Sequence, residues 1–235
     1  MPELSHSPGE VISYIEMCQA WSTSLQRGMN FRLRPNRSVI LMSRRSNAPY
    51  RDNVQDNGRV LIYEGHDVPR TSKNPNPKLI DQPRETPGGK PTQNGLFAQA
   101  AENFKRRLSA PEIVAVYEKI HTGIWAFNGL FFLTDSRIES DQRRMVFKFR
   151  LEVSEGLEDS SSPTREELLH NRVIPSAVKL EVWTRDKGRC VLCGSQTNIH
   201  FDHELPFSKG GSSLLAKNIR LLCAKHNLSK GAKIE

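Results

Sequence analysis

Apolar residues at positions 11, 12, 15, 18, 21 and 25 recur every three or four places, which predicts a leading helix over 11–25. The pattern then shortens. Residues 38–43 (SVILMS) form a compact apolar run that predicts a buried strand. Residues 59–63 (RVLIY) predict a second strand, entered through the turn Asp56-Asn57-Gly58. From 68 to 93 the chain is dense in Pro, Lys and Asn and carries no period, so it reads as a long surface loop. Asn94-Gly95 then precedes a helical pattern over 96–108. Runs at 113–120, 131–135 and 145–153 predict further strands, with Asn128-Gly129 as a hairpin turn between 125–127 and 130–132. Strands in the majority, with one or two helices, predict an α+β fold on a curved sheet or open β-barrel.

Residues 154–167 (SEGLEDSSSPTREE) are polar, acidic and Ser-rich. They predict a linker at 156–166 between a domain over 1–155 and a compact one over 167–235. In the second part, 199–205 alternates like a strand and Pro206 ends it. Lys209-Gly210-Gly211 makes a flexible connection, 218–222 returns as a second strand, and 223–230 starts a helix. The expectation is a ββα unit.

Four cysteines change the picture. Cys190-x-x-Cys193 and Cys223-x-x-His226 offer two pairs of soft or borderline ligands, the set a tetrahedral structural zinc ion takes. The 29 residues between the pairs exceed a usual zinc-ribbon interval and leave room for another element, where Asp202-His203 sits. A domain this small needs such a staple. His226 has a second reading, as a ligand of a catalytic metal. Cys18 stands apart and reads as a small buried apolar residue.

The 235 residues carry a net charge of +8, which favours a polyanion such as nucleic acid. Eleven Lys/Arg against seven Asp/Glu over 166–235 account for half of that excess, so it spreads over both parts. No apolar run reaches the length of a membrane span, and the first residues lack a basic start and an apolar core. A cytoplasmic protein without a membrane partner is expected.

Asp202-His203, Pro206, Gly210-Gly211, Asn218, Leu222-Cys223, Asn227 and Lys230 together resemble the HNH nuclease family, of ββα-metal fold, over about 182–234. That resemblance implies an endodeoxyribonuclease, a phosphodiester hydrolase using one divalent ion, Mg2+ or Mn2+. His203 is then the general base that activates water, Asp202 and Asn227 hold the ion, and Asn218 stabilises the loop or positions the histidine. These roles suit the chemistry. A neutral imidazole takes a proton near neutral pH, and a hard cation on oxygen ligands offsets charge developing on the phosphate. His200 either approaches this site or packs elsewhere. Lys230 either contacts a DNA phosphate or is an exposed helix lysine.

In the first part, Tyr50, Asp52, Gly58 and Tyr63-x-Gly65, with Asn94-Gly95 and the 125–133 segment, resemble the SRA (YDG) family over about 37–151. This chain carries Phe127-Asn128-Gly129 where that family has Tyr-Asp-Gly. The resemblance implies binding of double-stranded DNA in which a modified cytosine, such as 5-methylcytosine, is flipped into a pocket. A flipped base needs aromatic walls and polar groups along its Watson–Crick edge. Tyr50 and Tyr63 are candidate walls, or core aromatics. Asp52 is a candidate acceptor for the exocyclic amine, or a turn residue. Trp125 either stacks on a base or packs at a hairpin.

The two resemblances together are similar to SRA–HNH fusions, modification-dependent restriction endonucleases of type IV-like character. Cutting both strands calls for two HNH sites, hence a homodimer or two enzymes meeting on DNA. The competing readings are an HNH nicking enzyme indifferent to modification and a non-catalytic reader of methylated DNA.

Overall fold

The structure is a computed structural model and describes residues 6–25, 27–35, 37–44, 48–153, 173–205 and 211–230. The predicted linker at 156–166, Pro206 and Lys209-Gly210 lie outside the described residues. The first unit contains β1 (Val11–Ser13), α1 (Tyr14–Trp21), β2 (Met29–Arg34), β3 (Arg37–Met42), β4 (Asn53–Gln55), β5 (Val60–Glu64), α2 (Gln93–Lys105), β6 (Glu112–His121), β7 (Ile124–Ser140) and β8 (Met145–Glu152). The second contains α3 (Ser176–Arg185), β9 (Ile199–His203), β10 (Ile219–Cys223) and α4 (Ala224–Lys230). None of the described helices is long and apolar enough to cross a membrane.

Eight strands form one open sheet in the order β2-β3-β6-β7-β8-β5-β4, with β1 pairing β7 off that path. The pairings are antiparallel except β3 with β6, which run parallel. A parallel pair needs a long crossover, and the 68–93 segment followed by α2 supplies it. The sheet is covered on both faces, and strand alternation assigns the side chains. Ile40, Met42, Val114 and Val116 pack with Phe97, Ala98 and Ala101 of α2. Val39, Ala115 and Tyr117 pack with Met17 and Trp21 of α1 on the other side. Double coverage explains why 38–43 reads as an unbroken apolar run.

Three expectations change. Residues 11–13 are strand, because Val11 and Ile12 pair with Ala126 and Trp125, and the helix starts only behind Ser13. Ser13 caps it in a reciprocal box with Glu16. The second helix spans Gln93–Lys105 and not 96–108, since the Thr92 hydroxyl accepts from the Gly95 N–H and fixes an earlier start. Asn128-Gly129 makes no hairpin turn. Both lie inside the 17-residue β7, where Val116 pairs with Gly129 and Tyr117 with Phe127, leaving Asn128 as the extra residue of a bulge. Gly129 takes φ +102°, which a side chain would resist. The reversal between β6 and β7 falls at Gly123, φ +75°.

The second unit is the expected ββα arrangement, with β9 and β10 antiparallel and α4 following directly. Its core (Ile174, Val178, Val182, Ile199, Phe201, Leu221, Leu222) is continuous with Ile120 and Ala126 of the large sheet. Two further contacts hold the units together. The N-terminal segment runs between them: Gly9 N–H donates to Phe127 O (2.8 Å), and Phe201 N–H donates to Gly9 O (2.9 Å). Beneath it, Glu118 of β6 is ion-paired at 2.5 Å to Lys179 of α3, and both side chains are buried.

Candidate functional site

Tyr50, Asp52 and Tyr63, from two separate stretches, line a single cavity of about 760 Å³. Leu25, Gly28, Leu41, Ser43 and His66 are among its other lining residues, as are Arg27, Lys119 and Trp125. The residues gather because β5 runs beside β4 and places Glu64 opposite the segment that carries Asp52.

Asp52 is held firmly. One carboxylate oxygen accepts the Ser43 N–H at 3.2 Å and the other accepts the Glu64 N–H at 3.1 Å. Burial pushes its carboxyl up to about 7, against the lowering effect of those two N–H donors. Tyr63 belongs to the apolar core, only 3% exposed, yet its hydroxyl reaches the cavity side. That hydroxyl lies 3.1 Å from His66 Nε2 and 3.5 Å from Leu41 O. Burial, with Asp52 nearby, raises the phenol well above its ordinary range. The Tyr50 ring lies nearly parallel to His66 (17°, centroids 5.4 Å apart), and Lys78 Nζ sits 4.1 Å from its centroid. Trp125 carries Lys119 Nζ at 5.7 Å from its ring.

The 68–93 segment braces this pocket. Lys78 pairs with Asp67 at 3.0 Å and also donates to Pro49 O. Gln82 donates to Gly65 O (2.6 Å) and Asp67 Oδ1 (3.1 Å), and accepts from Phe147 N–H (2.8 Å). Asn94 clamps His66, accepting from its N–H at 2.8 Å and donating to its carbonyl at 2.9 Å. Behind them Arg144 pairs with Asp67 (2.6 Å) and Lys148 with Glu64 (2.8 Å). Sequence reasoning missed His66 and Gln82, and it noted Asn94 without its contact to His66. The available signals were slight: a polar residue directly after Tyr63-x-Gly65, and an Asn inside the first turn of an amphipathic helix.

In the second unit the ligand atoms of Cys190, Cys193, Cys223 and His226 all lie within 4.8 Å of one another. Cys193 Sγ is 3.8 Å from Cys223 Sγ, and His226 Nδ1 is 3.3 and 3.4 Å from Cys190 and Cys223 Sγ. A tetrahedron with Zn–S bonds of about 2.3 Å has S···S edges of about 3.8 Å, so the donor set fits a zinc ion. His226 therefore stands with the cysteines. Burial would raise the Cys190 thiol, but hydrogen bonds from the backbone at Cys223, Cys193 and Leu192 and from the His226 ring bring it down to about 6.

Beside this cluster the hairpin carries Asp202 opposite Arg220 and His203 opposite Ile219. His203 Nε2 is 2.8 Å from the Ser213 hydroxyl, a buried partner that fixes the ring. Asn218 closes the connection between the strands. Its Oδ1 accepts from Leu205 N–H (2.9 Å), and its Nδ2 donates to Leu205 O and Ser212 O (3.1 Å each). Asn227, half-buried, lies on α4 one turn before Lys230. Lys230 is buried and meets the Asp202 carboxylate at 2.5 Å, while Arg220 Nε stands 3.8 Å from it. It is thus neither an exposed helix lysine nor, in this arrangement, a phosphate ligand. Burial raises the Asp202 carboxyl, opposed by Lys230 and Arg220. Asp202 and Asn227 carry oxygen donors, the type a hard divalent ion takes. His200 is buried and its backbone bridges to Glu10 in the N-terminal segment, with the charges of both Glu10 and Asp202 acting on its ring.

No protein-family model matches this chain, and no curated protein matches it in sequence. Among solved structures it is similar to the SUVH5 SRA in complex with hemimethylated CG DNA. The identity is 22%, over 66% of this chain and 93% of that one, with a TM-score of 0.45. The SUVH5 SRA bound to fully hydroxymethylated CG DNA gives 19% identity over 68% and 97%, with a TM-score of 0.43. Arabidopsis thaliana SUVH6 in complex with SAM gives 19% identity over 66% and 27%, with a TM-score of 0.40.

Proposed function

We propose that this chain is a modification-dependent endodeoxyribonuclease. Its first unit takes a flipped, modified cytosine from duplex DNA, and its second hydrolyses the backbone nearby. The observation that carries the reading is the convergence of Tyr50, Asp52 and Tyr63 on one cavity, in a chain that also presents Asp202 and His203 beside a Cys3His cluster. The net charge of +8 suits a polyanionic substrate.

In this reading the Asp52 carboxylate accepts the exocyclic amine of the base, and the aromatic rings give it apolar surroundings. In the second unit His203, oriented by Ser213, takes the proton of an attacking water. Asp202 and Asn227 hold a divalent ion whose charge offsets the negative charge growing on the phosphate. The cysteines and His226 bind zinc and keep the hairpin in place. Cutting both strands then requires two copies of the chain. Digestion of methylated and unmethylated copies of one plasmid with Mg2+ or Mn2+ tests the reading. Only the methylated copy is cut; equal cutting of both removes the reader function, and cutting of neither removes the nuclease.

One observation favours a second reading, a non-catalytic reader: the ion pair of Lys230 with Asp202 occupies the carboxylate the reaction needs. His203→Ala separates the two. In a nuclease it abolishes cutting and leaves DNA binding intact.

A further inference from the structure

The cations around the base cavity fall into two groups. Lys78, Arg144 and Lys148 brace its walls, and each is paired with a carboxylate. Lys78 and Arg144 meet Asp67 at 3.0 and 2.6 Å, and Lys148 meets Glu64 at 2.8 Å. Their charge is neutralised inside the protein. Arg27 and Lys119 line the cavity itself, and neither meets a carboxylate among the described residues. Asp52 is the one carboxylate among the lining residues, and it is occupied by the Ser43 and Glu64 N–H groups.

The local structure explains how both cations reach this place. Arg27 stands between Leu25 and Gly28, two other lining residues. Its carbonyl accepts from Asn30 Nδ2 at 2.8 Å, which ties the backbone down while the residue stays exposed. Burial holds the His66 imidazole down at about 4, and the Arg27 charge adds to that effect, so Arg27 acts on the cavity interior. Lys119 follows Glu118 on β6. Successive strand residues face opposite ways, so Glu118 turns to Lys179 and Lys119 to the cavity. Lys119 pairs in register with Trp125, and its Nζ lies 5.7 Å from that ring. An aromatic face attracts a cation without neutralising it.

A base that enters a pocket stays tethered to its own sugar. The phosphodiesters on either side of it therefore stop at the mouth, where two uncompensated cations suit two anions. We infer that Arg27 and Lys119 form a phosphate clasp at the mouth of the cavity, gripping the phosphodiesters that flank the flipped nucleotide. This rests on the proposed base-flipping reading and adds a second subsite to it. A stacked nucleotide keeps its phosphates on the surface of the duplex, so the clasp closes only on an extruded one. Arg27 and Lys119 thereby favour modified over unmodified duplex without touching the modification.

The test is equilibrium binding of the full chain, without divalent ions, between about 50 and 200 mM salt. One duplex carries a single 5-methylcytosine and the other has the same sequence unmodified. Each neutralised phosphate adds about one to the slope of log affinity against log salt. Arg27→Ala and Lys119→Ala should each lower the slope for the methylated duplex by about one, and the double variant by about two, with the unmethylated slope unchanged. Arg27→Lys and Lys119→Arg keep the charge and should keep the slope. If wild type prefers the methylated duplex but the alanine variants leave its slope unchanged, the inference is overturned. An equal fall on both duplexes overturns it as well, since that is the mark of a general basic surface. If wild type does not distinguish the duplexes, the base-flipping reading itself fails, and the inference with it.

Discussion

Asp52 shows at the level of one residue how a fold sets chemistry. Its ordinary carboxyl value is 3.8, and burial brings it to about 7 in the folded chain. The folded state therefore holds the proton longer than the unfolded state. This group's contribution to stability is fully present below the ordinary value and is lost as pH rises through about 7. Base binding has the opposite sign, because the ionised carboxylate accepts from the amine more strongly than the neutral acid does. Affinity for methylated DNA should rise from about pH 6 to about pH 8, and Asp52→Asn should lose both affinity and the rise. Fluorescence titrations across that range check it; a flat wild-type profile removes Asp52 as the acceptor. Asp52 and Tyr63 were visible in the sequence through resemblance to a known family's pattern. The sequence left His66 unnoticed and gave Asn94 no contact with it, because that contact depends on a helix start and a strand end meeting in space.

At the level of elements, the ββα hairpin was legible nearly to the residue. Alternation in 199–203, the return at 219–223 and the helix behind it are local patterns, and local patterns survive folding. The Asn128-Gly129 turn misled because the same dipeptide serves a hairpin turn or a bulge, and only the register with β6 distinguishes them. The Cys3His cluster links the ends of the hairpin segment, since Cys190 and Cys193 precede β9 while Cys223 ends β10 and His226 lies on α4. One zinc per chain is expected by elemental analysis. Chelation should unfold this unit selectively, lowering amide protection in β9, β10 and α4 while β3, β6 and β8 keep theirs. Hydrogen exchange measures this, and unchanged protection after complete metal removal would refute the staple.

Across the whole molecule, the two units share structure. Glu118, on the strand that also carries pocket residue Lys119, accepts from Lys179 at 2.5 Å and from Asn128 at 3.2 Å, with the Ser176 hydroxyl on its other oxygen. Burial would raise the Glu118 carboxyl, but the Lys179 ammonium more than offsets this and holds it below its ordinary value. The group stays charged, so Lys179→Met strands a buried carboxylate and should cost about 3–5 kcal/mol in denaturant unfolding. Adding Glu118→Leu to that variant should recover most of the loss. A single variant as stable as wild type would show that the pair does not hold the units together. The charges at 118 and 179 were in plain view, one inside an apolar strand and one in an amphipathic helix. Nothing local says that they pair across 61 residues.

By itself the sequence determined most of the periodic elements and, by their paired spacing, four candidate metal ligands, while the roles expected of Asp202, His203, Tyr50, Asp52 and Tyr63 came from resemblance to known families. The elements and the ligand pairs are carried by neighbours along the chain, where spacing and residue type are enough. Tertiary structure alone decided four things. It turned 11–13 into strand, made Asn128 a bulge, brought His66 to the Tyr63 hydroxyl, and set Lys230 on Asp202. The reason is physical. Hydrogen-bond partners, burial and the local dielectric come from segments far apart in sequence, and they appear only when the chain closes on itself.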